Sequence, residues 1–405
     1  MKFISKWALV LLPALALATP AFALNNSEEP GSVIVFPKFV NASRVIVDGI
    51  ADIARTEIEV GVVCPPGVPT TSPLCAEHVP YKIRFHWVCP GIENVNSNIC
   101  RETDFEIVVS MNGKAVFSAD GRQINSNSAI VPTPPCPRGY LIGWVENFSD
   151  VPIRFDGLIG NGVIRGPGVS PAGMSTAVSA YNAIPIQASA TAPAPAVGAP
   201  LNIGDARDPT ALIFDNGAGH YQNITGSFYG DVRFDKTAAG APLPDVQSRT
   251  FITFLTLDVR SNRPNNPTFV NLNFYNETSR LPSTTNPDFE RLLSTSREFV
   301  CWDQVALAPN PNDATEPFID PNLTQAFMGT RKGIVIAGAP TGGATVKVQN
   351  GAPGDDPLPP ANETPVTLIG LIETNEGLGA SMWLNRKYFF NTVNDSAPVN
   401  TRFVP

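Results

Sequence analysis

Residues able to do chemistry are scattered through this 405-residue sequence rather than gathered into a motif. A serine hydrolase would need Gly-x-Ser-x-Gly with a histidine partner, and the nearest string, Gly168 to Gly173 (GVSPAG), has the wrong spacing. Glycosidic-bond chemistry needs two carboxylates about 5–10 Å apart. Asp303, Glu373 and Glu376 are the strand-end acids to name, but in a chain with 36 acidic residues solvated surface carboxylates are the simpler reading. His78, His86 and His220 lie far apart, and polar-face or loop positions account for them. No catalytic residue is assigned.

Zinc would want CxxC pairs or clustered histidines, and neither occurs. A hard cation has a better claim, because Asn310, Asn312, Asp313, Glu316 and Asp320 gather oxygen donors in one loop. The EF-hand spacing and its central glycine are missing, so Asn312, Asp313, Glu316 and Asp320 stand only as calcium candidates, and no cofactor is required. Trp87, Trp144, Trp302 and Trp383 with Tyr140, Tyr388, Phe389 and Phe390 could stack on sugar rings. Trp87 and Trp144 fall on apolar strand faces and read as core. Trp383, beside the glycine-containing turn 377–379, and Tyr388 are the ligand-binding candidates.

All six cysteines, Cys64, Cys75, Cys89, Cys100, Cys136 and Cys301, read as disulfides rather than nucleophiles. Two 11-residue spacings sit in similar surroundings. EIEVGVVC…C and KIRFHWVC…C each show an alternating strand ending in Val-Cys-Pro, a polar loop, and a second cysteine. The spacing predicts Cys64–Cys75 and Cys89–Cys100, each clamping a hairpin loop. Cys136–Cys301 follows by subtraction and ties the two halves together.

Those cystines imply an oxidising compartment, and residues 1–23 supply the route. Lys2 and Lys6 form a positive start, Trp7 to Ala18 an apolar core, and Ala21-Phe22-Ala23 a small-x-small cleavage site. The apolar run is shorter than the roughly 20 residues of a spanning helix. No integral membrane segment is expected after its removal. Cleavage removes two lysines and no acid, so the formal charge moves from −8 to −10. An acidic chain without basic runs disfavours nucleic acid, which binds through clustered Lys and Arg.

Sparse charge (16 %) and 40 prolines are unlike a helical protein. Alternating segments predict short strands at 32–40, 56–63, 81–88, 104–110, 139–146 and 152–159. Pro37 suggests an edge or a bulge. Lys114 to Ser118 reads as the hairpin partner of 104–110 across a Met-Asn-Gly turn, and Ser175 to Asn182 as a helical turn or a further strand. Residues 188–204, opening with ASATAPAPAVGAP, read as an Ala/Pro-rich linker between an N-terminal domain (24–187) and a C-terminal one (205–405). In the latter, 250–259 reads as a central strand, with further strands at 269–275, 297–302, 332–337, 344–349, 366–373 and 386–391 and an edge strand at 399–404. Cap signals predict two short helices, Asp288 to Ser294 and Asp320 to Phe327. The expected fold is all-β, two Ig-like or jelly-roll-like sandwiches with a few short helices.

GSVIVFPKFV (31–40), CPRGYLIGWVEN…FDGLIGNGVIR (136–165), AYNAIPIQA (180–188), FLTLDVRSNRPNNPTFVNLNFYNE (254–277) and MGTRKGIVIAG (328–338) resemble uncharacterised exported bacterial β-rich proteins. The resemblance spans most of the chain and implies the bacterial periplasm, cell surface or medium. It brings no activity or site residues.

The function expected is a non-enzymatic structural, adhesive or binding one, with a protein or glycan partner. The apolar strand 31–40 could also complete a neighbour's sheet and drive self-assembly. The alternatives are a carbohydrate-binding or carbohydrate-processing protein and a calcium-dependent adhesin.

Overall fold

The computed structural model describes residues 29–41, 45–47, 50–52, 55–90, 100–121, 123–125, 130–168, 175–189, 206–224, 226, 228–233, 249–257, 268–276, 291–306, 332–337, 344–347, 363–376, 379–384 and 401–403. The first strands are β1 (Val33–Val40), β2 (Val45–Val47), β3 (Ile50–Asp52), β4 (Arg55–Val62), β5 (Pro80–Cys89), β6 (Arg101–Ser110), β7 (Lys114–Ser118), β8 (Gln123–Asn125), β9 (Arg138–Glu146), β10 (Leu158–Gly168), β11 (Ser175–Asn182) and β12 (Ile184–Ile186). They continue with β13 (Leu212–Phe214), β14 (Phe228–Arg233), β15 (Arg249–Leu255), β16 (Thr268–Asn276), β17 (Arg291–Phe299) and β18 (Trp302–Ala306). The last are β19 (Lys332–Ala337), β20 (Ala344–Lys347), β21 (Glu363–Val366), β22 (Ile369–Glu376), β23 (Gly379–Leu384) and β24 (Thr401–Phe403). A single 3-10 turn, Pro73–Cys75, is the helical element among the described residues.

Two five-stranded antiparallel sheets, β12-β1-β9-β5-β6 and β11-β10-β4-β7-β8, form a sandwich. Their shared core takes Ile34, Phe36, Ile83, Phe85, Trp87 and Leu141 from the first sheet and Ile58, Val60, Val62 and Phe117 from the second. Alternation places these side chains inward because successive residues of a strand point to opposite faces. The first sheet is covered on its other face too. Val33, Val35, Tyr140, Ile142, Trp144 and Ile186 form a second core with Leu212, Phe214, Tyr221, Leu255, Trp302, Ile369 and Phe403. Every residue of β1 is therefore buried, Lys38 included, which explains its continuous apolar reading. That second core draws on residues from both sides of 188–204.

Farther along, β18-β15-β22-β23 form a four-stranded sheet, and β14-β19-β16-β20-β21, with β17 also on β16, a six-stranded one. The ring of Phe228 on β14 lies over Gly370 on β22, so closely that a Cβ at Gly370 would come within 2.3 Å of it. This sets the two sheets face to face. β13-β24 and β2-β3 are two-stranded ribbons.

Several expectations need correction. β7 is not the hairpin partner of β6: β6 pairs with β5, while β7 pairs with β4 and β8 in the opposite sheet. The Met-Asn-Gly turn crosses between sheets because Asn112, at φ 56°, donates its N–H to Val62 O (2.8 Å), and Val62 N–H donates to Gly113 O (3.1 Å). The segment 152–159 is not one strand. Pro152 and Ile153 make isolated bridges, and β10 starts only at Leu158. The helix expected from Asp288 gives way to β17 from Arg291, because its ladder with β16 along Thr268–Tyr275 overrides local cap signals. The helix expected from Asp320 and the strand expected at 386–391 lie outside the described residues. Ser175 to Asn182 resolves as a strand, β11, on β10. Pro37 marks a bulge in a central strand, since the β1–β9 register shifts between Phe36 and Phe39.

The disulfides are Cys64–Cys75, Cys89–Cys136 and Cys100–Cys301. Cys89–Cys100 and Cys136–Cys301 were the wrong pairs, although Cys89 and Cys100 do flank the β5–β6 hairpin. Cys89 opposes Arg101 in the ladder, so Cys100 is one residue out of register. Cys89 then joins Cys136 in the sandwich core, and Cys100 joins Cys301 in the second core on the far face. Cys64–Cys75 closes a loop that passes from β4 in one sheet to β5 in the other, and is not at a hairpin base.

Candidate functional site

Two features stand out on the surface of the sandwich. The first lies on the outer face of the sheet β11-β10-β4-β7-β8. Asn161 on β10 is directly opposite Asn182 on β11 and opposite Glu59 on β4, so three polar side chains form one row across three strands. Neighbouring strands are about 4.8 Å apart, so the row spans about 10 Å. The next row is Ile159, Gly61 and Lys114. The missing side chain at position 61 leaves a depression between Ile159, 43 % exposed, and Lys114. With Asn112, Gly113, Pro185 and Glu29 at its rim, this becomes a cleft of about 540 Å³. Lys114 Nζ donates to Glu59 Oε1 at 3.1 Å, so the cleft's central charges cancel. Asn161 Oδ1 is enclosed and has no hydrogen-bond partner.

The second feature is a charged network on β5, β6 and β9. Lys82, Arg84 and His86 share the face opposite Ile83, Phe85 and Trp87. Lys82 Nζ meets Glu106 at 3.0 Å, Glu146 at 3.7 Å, and Asp150 more closely still. Arg84 meets Glu106 at 2.7 Å, Glu146 at 3.2 Å and Asp104 at 3.8 Å. Trp144 Nε1 donates to Glu146 at 2.9 Å. Desolvation pulls the Lys82 ammonium down, but its bonds to Asp150 and Glu106 outweigh it, and the pKa is raised. The same bond holds Asp150 below its ordinary value. Carboxylate oxygens of Glu106, Glu146 and Asp150 lie within 4.8 Å of one another, as metal ligands would, but the Lys82 ammonium already sits among them as their counter-charge.

His86 is 4 % exposed, stacked on Trp144 at 4.8 Å and joined to Glu102 through Nδ1 at 3.1 Å. Phe403 of β24 packs edge-on against its ring. It is a packed core histidine. His220 Nδ1 lies 2.6 Å from Asp215 Oδ1, which also accepts from Gly217 N–H at 2.7 Å. This pair ties a tight turn, with Asn216 and Gly219 at positive φ. His78 is exposed at φ 71°.

Other sequence candidates are spread apart. Asp303 pairs with Arg297 at 2.6 Å, and Glu373 with Lys38 at 2.5 Å, so both carboxylates hold structural partners. Trp87, Trp144, Tyr140 and Trp302 are buried. Trp383 is on β23 opposite Ile372, and its side chain lies outside the described residues, as do Tyr388 and the calcium candidates Asn312, Asp313, Glu316 and Asp320. The loop 65–74 behind Cys64–Cys75 exposes Pro66, Gly67, Pro69, Thr70, Thr71 and Pro73. Tyr81 OH donates to Leu74 O at 2.6 Å from beneath it. The polar row escaped sequence reading because Glu59, Asn161 and Asn182 become neighbours only through strand register. The one available signal was a glycine among outward positions of an otherwise regular strand. Comparison with known proteins returns no matching family and no curated relative.

Proposed function

We propose that this chain is an exported bacterial protein that acts by binding or structural attachment at the cell envelope or in the extracellular space, not by catalysis. The observation that carries this reading is the loop 65–74: cystine-closed, proline-rich, exposed, and buttressed by Tyr81. Such pre-organisation lowers the entropy lost on binding a partner. The three cystines suit an oxidising compartment. Residues 1–23, with their export pattern, supply the route.

The experiment has two arms. The full chain, produced in a bacterial host, is expected outside the cytoplasm, cleaved near Leu24 and carrying three cystines. Cytoplasmic retention with six free thiols would overturn export. Labelled mature protein is then incubated with whole bacterial cells, and its retention should fall at least tenfold when residues 66–73 are replaced by a Gly/Ser segment. Absence of retention, or equal retention by the variant, would overturn the role of the loop.

A second reading, carbohydrate binding, draws on the cleft over Asn182, Asn161 and Glu59, whose side chains offer donors and acceptors and whose one charge, on Glu59, is matched by Lys114. In the single chain β1 is paired on both sides with its own β9 and β12. Self-assembly by strand donation would first require breaking that pairing.

A further inference from the structure

We infer that the cleft over Gly61 is a binding site for a neutral saccharide. This rests on the binding-protein reading above and specifies a ligand class and the residues that take it.

The chemistry of the lining selects the ligand. Adjacent hydroxyls of a sugar want one donor and one acceptor a few ångströms apart, which amide side chains supply from a single group. Asn182 and Asn161 present such amides in one row, Glu59 extends the row as an acceptor, and Asn112 lies at the rim. Lys114 adds ammonium donors and, by pairing with Glu59 at 3.1 Å, leaves the central floor without net charge. Glu29 is the remaining charge in the lining, and it is acidic. Among the described residues, an anionic ligand therefore finds no unpaired cation in the lining, and a cationic one finds a single rim carboxylate. Beside the polar row, Ile159 and the bare backbone of Gly61 make an apolar shelf for the C–H face of a pyranose ring. The volume of about 540 Å³ lies within the usual range of ligand sites.

The recognition groups named are side chains projecting from a sheet face, not backbone groups of a strand edge. This favours a saccharide over an extended peptide. Asn161 is the centre of the site. Its Oδ1 is enclosed and has no donor, and its terminal torsion is soft, so rotation of the amide can turn that oxygen to a ligand hydroxyl that supplies the missing hydrogen bond.

Gly61 offers a clean way to fill the site. A Cβ there would lie 3.1 Å from Ile159 Cγ1, 3.4 Å from its Cδ1 and 3.8 Å from Gly113 O, so the 43 % exposed Ile159 side chain must give by a few tenths of an ångström. Valine suits a strand, so Gly61→Val should fill the depression with the fold intact. The mature protein, Gly61→Val and Asn161→Ala are applied to a microarray of neutral oligosaccharides (glucan, mannan, galactan, xylan and N-acetylglucosamine series) and of sulfated and uronic-acid glycans. The expected result is binding to at least one neutral series by the parent, reduced at least tenfold in both variants, with melting temperatures within a few degrees of the parent. No neutral glycan retained, preference for anionic glycans, or undiminished binding by both variants would overturn the inference. If only Gly61→Val unfolds, Asn161→Ala alone decides. Failure here leaves the whole-cell test of loop 65–74 standing, so the two readings fail separately.

Discussion

Lys38 on β1 and Glu373 on β22 meet at 2.5 Å with side chains only 7 % and 8 % exposed, 335 residues apart in sequence. Ser179 Oγ donates to the other carboxylate oxygen at 3.3 Å, and the Lys38 ammonium lies 5.4 Å from the centre of the Phe251 ring. One residue earlier, Pro37 O accepts from Trp302 Nε1 at 2.9 Å. The bulge at Pro37 thus lets the first long strand hold the sheet of β15 and β22 through a charge and a carbonyl.

Breaking this pair from one side leaves a buried uncompensated charge. Lys38→Met alone, or Glu373→Gln alone, should cost about 3–5 kcal/mol. The double variant should cost clearly less than the sum, because neither charge remains. Urea denaturation of the four proteins measures the coupling. Strictly additive losses would show that the pair is not the unit of stability.

The cystines predict a ranking. In the loop-entropy account, Cys100–Cys301, which closes a separation of 201 residues, stabilises by about 5 kcal/mol, and Cys64–Cys75, with a separation of 11, by about 3. Replacing both cysteines of each pair by alanine and unfolding without reductant should show the larger loss for the long loop. Non-reducing peptide maps should contain Cys89 linked to Cys136. A Cys89–Cys100 peptide would contradict the opposite-face arrangement.

Gly143 on β9 lies between Ile34 and Phe85 in the ladders of its two neighbours. A Cβ there would come within 2.3 Å of the Phe85 ring, which lies over the glycine and packs on Phe105 and Phe117. Gly143→Ala should therefore destabilise by about 1–3 kcal/mol through overpacking, despite alanine's lower backbone entropy when unfolded. Adding Phe85→Leu should recover part of the loss, as read by thermal melting of the two variants.

The Lys82–Asp150 contact makes stability depend on pH with a definite sign. Asp150 is held below its ordinary value, chiefly by the hydrogen bond from Lys82. Its contribution is present above the ordinary carboxylate pKa, about 3.9, and is lost as pH falls through the lower folded value. Lys82 is raised, so its contribution is present below about 10.4 and is lost as pH rises through the higher folded value. Asp150→Asn keeps a residue tolerant of the local φ of 62°. The variant should be less stable than the parent between about pH 4 and 10 and converge with it near pH 2. A deficit that persists unchanged in acid would assign the loss to the turn and not to the charge.

Much of the fold was legible in local patterning. Strict alternation in KIRFHWV placed Ile83, Phe85 and Trp87 inward and Lys82, Arg84 and His86 on the other face, which is how β5 folds. The continuous run at 250–259 marked a central strand covered on both faces: β15 lies between β18 and β22, and consecutive residues 252–257 are buried. Period-two patterning carries this information because burial on one face constrains every second residue, whatever the partner.

Partner choice was not legible, for the same reason. Alternation says which way a side chain points but not which strand lies beside it. Lys114 to Ser118 has the pattern of a return strand, yet the hydrogen bonds of the Asn112 turn carry it to the opposite sheet. Identical 11-residue spacings gave one true cystine and one false one, because a one-residue offset in the β5–β6 register sends Cys89 and Cys100 to opposite faces. The row Asn182, Asn161 and Glu59 likewise exists only once three distant strands are in register. Composition and periodicity alone determined that this chain forms short strands with apolar faces and oxidisable cysteines. Strand order, cystine pairing and the cleft were decided by tertiary packing, since each depends on contacts between segments whose separation the local pattern does not encode.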